Sequence, residues 1–165
     1  MKKISKLLFT LALTTLSLSA ADKIYSFMGI QADASIPSSD VIPTVGIKYG
    51  KQSRNARTAF SYNFGEDAKN RYQTIIVQID TGIFKEKVKD FPLKPYAGVS
   101  VGVMQHDDKQ ISRRDRGYLY GLNTGLAYIL NDKIDLDFGY RFMRTEKLSN
   151  VNDISDITLS MHYFY

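Results

Sequence analysis

Ile134-Asp135-Leu136-Asp137-Phe138-Gly139-Tyr140-Arg141-Phe142 decides the fold. Ile134, Leu136, Phe138, Tyr140 and Phe142 are large and apolar, while Asp135, Asp137, Gly139 and Arg141 are charged or lack a side chain. Side chains alternate across a strand and recur every 3.6 residues around a helix, so a strict period of two makes one greasy face and one polar face.

The same alternation recurs from residue 22 onward. Val45, Ile47 and Tyr49 oppose Gly46, Lys48 and Gly50, and Phe60, Tyr62 and Phe64 oppose Arg57, Ser61 and Asn63. Ile75, Val77 and Ile79 oppose Gln78 and Asp80, with Ile76 out of step. Val99, Val101 and Val103 oppose Gly98, Ser100 and Gly102. Tyr118, Tyr120, Leu122 and Leu126 oppose Gly121, Asn123 and Gly125. Ile157, Leu159, Met161, Tyr163 and Tyr165 oppose Thr158, Ser160 and His162, and a weaker first strand covers about residues 24–33. These are roughly eight segments, each near the ~9–11 residues that a tilted strand needs to cross a bilayer.

Polar breaks separate them. Ile36–Asp40, Gly65–Asn70, His106–Arg116 and Thr145–Asp156 would be the loops of one rim, and Lys51–Asn55, Phe84–Lys94 and Asn131-Asp132 the turns of the other. With both chain ends in the periplasm, the first group faces outside. Phe84–Lys94 is longer than a periplasmic turn usually is.

The first 21 residues stand apart. A basic start (Lys2, Lys3, Lys6), an apolar run from Leu7 to Leu18 and the small residues Ser19-Ala20-Ala21 follow the order of a cleavable secretory signal peptide. The run is too short for a spanning helix, which needs about 20 apolar residues. Cleavage after Ala20 and after Ala21 fit equally well. Domain organisation is therefore residues 1–21 as signal peptide and residues 22–165 as one barrel domain.

Charge and cysteine narrow the function classes. The 165-residue chain has a formal charge of +5, of which the leader supplies three units, leaving about +2. No argument for nucleic acid survives that subtraction. The chain has no cysteine, which rules out disulfides and a lipoprotein anchor.

A soluble barrel turns its bulk inward. Here the polar face is poor in bulk and holds most of the strand glycines, whereas the other face is nearly free of charge. A charge on a lipid-facing strand position near the midplane costs about 2–4 kcal/mol for Lys or Arg. Closure also leaves no unpaired edge in hydrocarbon. Aromatic residues near strand ends, among them Tyr49, Phe64, Tyr118, Tyr128 and Phe142, suit the two interfacial girdles. The fold class is all-β: an eight-stranded antiparallel up-and-down transmembrane β-barrel of the outer membrane.

The chain ends Ile157-Thr158-Leu159-Ser160-Met161-His162-Tyr163-Phe164-Tyr165. This resembles the terminal strand of bacterial outer-membrane proteins, which closes on an aromatic residue. Most such strands end in Phe; here Tyr165 ends the chain and Phe164 precedes it. With the leader, the whole mature chain resembles the small OmpA transmembrane-domain and opacity-protein class of Gram-negative bacteria. That resemblance implies Tyr163, Phe164 and Tyr165 as the signal read by the barrel-assembly machinery.

Candidate chemistry lies on the polar face. Lys48, Arg57 and Arg141 stand against Asp80, Asp135 and Asp137, a balanced set that fits a salt-bridged plug in the lumen. Threading the strands up and down puts all but Arg141 in the periplasmic half. The alternative is a charged constriction in a narrow, porin-like pore. Lys109, Arg113, Arg114 and Arg116 lie in the most charged stretch and are the outer-loop candidates for lipopolysaccharide phosphates or an extracellular or host ligand.

Catalytic and metal readings find little. His106-Asp107-Asp108 reads as a charged loop, and His162 as a lumen histidine. The His-x-Ser pattern of barrel lipid A deacylases is missing from the penultimate strand, which reads Tyr140-Arg141-Phe142-Met143-Arg144. The sequence therefore points to no cofactor and no enzyme, with lipid A modification as a second alternative. The expected partners are outer-membrane lipid and lipopolysaccharide, and the expected state is a monomer.

Overall fold

A computed structural model describes residues 24–37, 41–82, 93–110, 113–148 and 151–165. Residues 1–21, read from the sequence as a signal peptide, and nearly all of Phe84–Lys94 lie outside the described residues. Eight strands form: β1 (Tyr25–Pro37), β2 (Ile42–Gln52), β3 (Ala56–Glu66), β4 (Asn70–Gly82), β5 (Leu93–Asp108), β6 (Arg113–Asn131), β7 (Ile134–Glu146) and β8 (Asp153–Phe164). Each pairs antiparallel with the next, and β8 pairs with β1, so the sheet is a closed up-and-down barrel. We call the rim that carries both chain ends the terminal rim and the other the distal rim.

Local chemistry sets the turns. At the distal rim Asp67 Oδ1 accepts from the backbone N–H groups of Lys69 and Asn70, both at 2.6 Å. At the terminal rim Asn131 Oδ1 does the same for Lys133 and Ile134, both at 2.9 Å. Short Asx side chains imitate a backbone turn in this way.

Two breaks placed from the sequence prove shorter than they read. Strand β5 continues to Asp108 and β6 begins at Arg113, so most of His106–Arg116 is strand. Thr145–Asp156 likewise loses both ends to β7 and β8. The β5–β6 hairpin has strands of 16 and 19 residues against 11–13 elsewhere; at the distal rim β6 runs past the end of its pairing with β7 at Tyr118, while β5 stays paired with β4 as far as Asp108.

The two faces of the sheet differ in kind. Outward residues are apolar and exposed around the whole barrel, as at Ile47 (64%) and Leu122 (66%). Among the described residues twenty-nine large hydrophobic side chains are exposed, far beyond the patch of a few hundred Å² that a soluble monomer tolerates. Outward aromatics stand near both ends of the band: Tyr25, Tyr49, Tyr128 and Tyr163 toward the terminal rim, Tyr62, Tyr118 and Phe142 toward the distal rim. The inward face holds almost all the buried polar and charged groups.

Candidate functional site

The lumen is filled at two levels. Toward the terminal rim Arg57, near the start of β3, lies between two strands' carboxylates. Its Nε donates to Asp80 Oδ2 at 2.9 Å, and its Nη1 is 2.6 Å from Asp137 Oδ2. Tyr96 donates its hydroxyl to Asp137 Oδ1 at 2.6 Å, and the guanidinium lies over its ring, 4.5 Å from the centroid. Asp80 also accepts from Gln78 Nε2 at 3.0 Å and from Asn123 Nδ2. Ser100 donates to Asn123 Oδ1 at 2.8 Å, so both ends of the Asn123 amide are bonded.

The other predicted residues join the same layer or the next. Lys48 Nζ donates to Ser160 Oγ at 3.3 Å. Asp135 Oδ1 is 2.8 Å from His162 Nδ1, and the His162 ring packs on Phe27 at a centroid distance of 4.6 Å. Arg141 sits higher, donating to Asp156 Oδ2 through Nε (2.9 Å) and Nη2 (2.7 Å), with Asp33 at 4.0 Å. Gln31 Nε2 donates to Asp33 at 2.7 Å. All six charges named from the sequence are thus buried inside the barrel, in two arginine–aspartate groups, an Asp135–His162 contact and a Lys48–Ser160 contact, and not in one ring.

The charge balance differs from the sequence reading. Asp33 and Asp156 are also buried, so among the described residues five carboxylates face three cations. Asp33 Oδ1, Asn63 Oδ1 and Asp156 Oδ1 find no protein donor. Their side chains border a cavity of about 20 Å³, room for one water.

Glycine makes space for the layer. A Cβ at Gly125 or Gly139 would run into the Tyr96 hydroxyl, and one at Gly98 into the Asp80 carboxylate. Tyr96 can lie across β6 and β7 because those strands present bare backbone there.

Above Arg141 the filling changes. Ile42, Tyr72, Ile76, Met104, Leu119, Met143, Val151 and Ile154 are all buried and form one apolar cluster, with Leu148 packed against it. The lumen is therefore polar through its lower part and closed by apolar side chains above, and Ile76 is a member of that inward cap and no irregularity. His106 belongs beside this cap. It is on β5, not in a loop, stacked on Tyr72 at 4.6 Å with Nε2 2.9 Å from Asn70 Oδ1.

The outer candidates are corrected in the same sense. Only Lys109 is in a turn; Arg113, Arg114 and Arg116 are on the extended β6. Lys109 Nζ is 2.6 Å from Glu66, Arg113 pairs with Asp115 at 3.0 Å and Arg114 with Asp107 at 2.8 Å. Arg116 Nε donates to Gln105 Oε1 at 3.0 Å. Of the terminal residues, Tyr163 faces outward, the Phe164 ring meets Phe27 at 5.5 Å, and Tyr165 N–H donates to Ser26 O at 3.1 Å across the β8–β1 closure.

Among the described residues no group of three or more His, Cys, Asp or Glu side chains could hold a metal ion. Neither a protein-family model nor a curated sequence matches the chain. Solved structures match its fold. Neisserial surface protein A superposes with a TM-score of 0.67 at 18% identity, over 86% of this chain and 97% of that one. Outer membrane protein H of P. aeruginosa gives 0.64 at 23%, over 86% and 99%. The outer membrane enzyme PagL gives 0.51 at 11%, over 83% and 98%. With an apolar outer wall, a filled interior and these likenesses, the chain has the fold of the small eight-stranded outer-membrane barrels.

Proposed function

We propose that this chain is a closed outer-membrane barrel that works through the surface of its distal rim and does not conduct. The carrying observation is the double filling of the lumen, by the Arg57 layer below and the apolar cap above. An eight-stranded barrel has just enough interior for side chains to fill. In this reading residues 1–21 direct export and are removed, and Tyr163–Tyr165 present the assembly signal. The distal rim then faces outside, and the long β5–β6 hairpin, which stands beyond β7, is part of that surface.

The test is single-channel recording of the refolded mature chain in a planar bilayer, after a heat-shift gel confirms the barrel. Silence is expected. Steady, reproducible openings would overturn the closed lumen and make Arg141, Asp135 and Asp137 a selectivity constriction.

An enzymatic reading has one point in its favour, the PagL likeness, which extends to the fold alone. A hydrolase of membrane lipid needs its nucleophile and base where lipid can reach them. Both histidines are buried inside the barrel, at 0% and 6% exposure. Lipid A of unchanged mass on expression of the chain is the expected outcome.

A further inference from the structure

The outer wall changes character at one step near the distal rim. Ile75, Val103 and Tyr118 form one rung across β4, β5 and β6, and Gln73, Gln105 and Arg116 form the next outward-facing rung above it. The first is the last apolar rung of the band, the second the first polar one. A groove of about 590 Å³ straddles the step, lined by both rungs together with Tyr62 and Lys147.

Two cations on this groove differ from their neighbours. Arg71 and Lys109 share Glu66, Arg113 pairs with Asp115, and Arg114 with Asp107. Arg116 bonds only a neutral amide, Gln105, and Lys147 lies over the Tyr118 ring, 5.0 Å from its centroid. Neither makes an ion pair among the described residues. Glu146, opposite Tyr118 in register, does not line the groove. Basic side chains at the edge of an apolar wall keep their stems on the wall and their heads at the lipid headgroups.

We propose that this groove binds one phosphorylated, multi-acyl lipid of the outer leaflet. Acyl chains lie against Ile75, Val103 and Tyr118, and a headgroup phosphate sits between Arg116 and Lys147. Guanidinium and ammonium donors make short, charge-assisted bonds to phosphate oxygens. Gln105, whose Oε1 is taken by Arg116, keeps its amide N–H groups for the same headgroup. The proposal rests on the distal rim being the outer one, and it deepens the surface role by naming a ligand class and a site.

The experiment is native mass spectrometry of the refolded mature chain in detergent. Bis-phosphorylated lipid A is the probe, and the same lipid stripped of phosphate is the control. The expected result is one retained lipid A, with Arg116→Gln/Lys147→Gln weakening retention about thirty-fold, which converts to about 2 kcal/mol. Lys109→Gln/Arg114→Gln removes the same charge from paired positions and should leave retention unchanged. Equal retention by the groove variant, equal retention of the stripped lipid, or an equal loss in the Lys109/Arg114 variant would each overturn the site. Heat-shift gels confirm that every variant folds. Lipid retention is read in detergent and does not depend on conductance, so a failure here leaves the closed lumen standing.

Discussion

The two ends of the lumen are closed by different physics on the same eight strands. Below, Arg57 is held by two carboxylates and a tyrosine ring, and each carboxylate has further donors of fixed direction. Above, Ile42, Ile76, Met104, Leu119 and Met143 touch without directional bonds. A buried ion layer adds little net stability over a well-packed apolar one but is costly to break on one side. An apolar cluster degrades in proportion to the volume removed. Single substitutions should therefore act unequally at the two ends.

The sharpest break is Arg57→Ala. It leaves Asp80 and Asp137 buried without their cation and should cost about 3–5 kcal/mol, measured by urea unfolding of the refolded chain in micelles. Replacing Arg57, Asp80 and Asp137 together by apolar residues of similar volume should cost far less than the single change. If the triple variant is the weaker one, the layer contributes more than its pairing.

At the other end Met143→Ala removes volume from the cap and should cost about 2–5 kcal/mol in the same assay. Its bilayer recordings should stay silent, because the Arg57 layer still closes the lumen beneath. Openings in this variant would assign the seal to the cap alone. Within the lower layer, and smaller in effect, is Gly125→Ala. Its new methyl group meets the Tyr96 hydroxyl, displaces that ring from Asp137 and Arg57, and should cost about 1–3 kcal/mol by overpacking.

The barrel was legible because every crossing segment must be greasy on one side and narrow on the other, and a period of two records both. Each of the eight strands has its sequence counterpart. What escaped was anything outside the band. Arg113, Arg114, Asp115 and Arg116 carry polar groups on both faces, so pairing continues where alternation has vanished and the stretch reads as a loop. Asp156 was hidden by the same effect, being assigned to a break when it is the partner of Arg141. Tyr96 and the cap were recoverable. Tyr96 shares the inward parity of Gly98 and Ser100, while Ile42, Met104, Leu119, Met143 and Ile154 all fall on inward positions near the distal ends of their strands. Parity gives the face, but only the closed barrel shows that such residues from five strands meet.

A third region, the wetted rim, extends the comparison to ion pairs in water. Lys109 and Arg71 both bond Glu66, and their hydrogen bonds hold its carboxyl below the usual carboxylate range. A depressed folded-state value means that the unfolded chain takes up the proton first. The contribution of Glu66 is then complete above its ordinary pKa of 4.5 and is lost as pH falls through the lower folded-state value. The group is exposed, so the effect is the smallest of the four and screened by salt. The check is the difference in thermal midpoint between the natural chain and Glu66→Gln, followed from neutral pH downward. It should be small and positive at neutral pH, shrink in about 1 M salt, and vanish in acid. A difference that grew on acidification would reverse the sign, and would mean that the rim destabilises Glu66 as a carboxylate despite its two cationic neighbours.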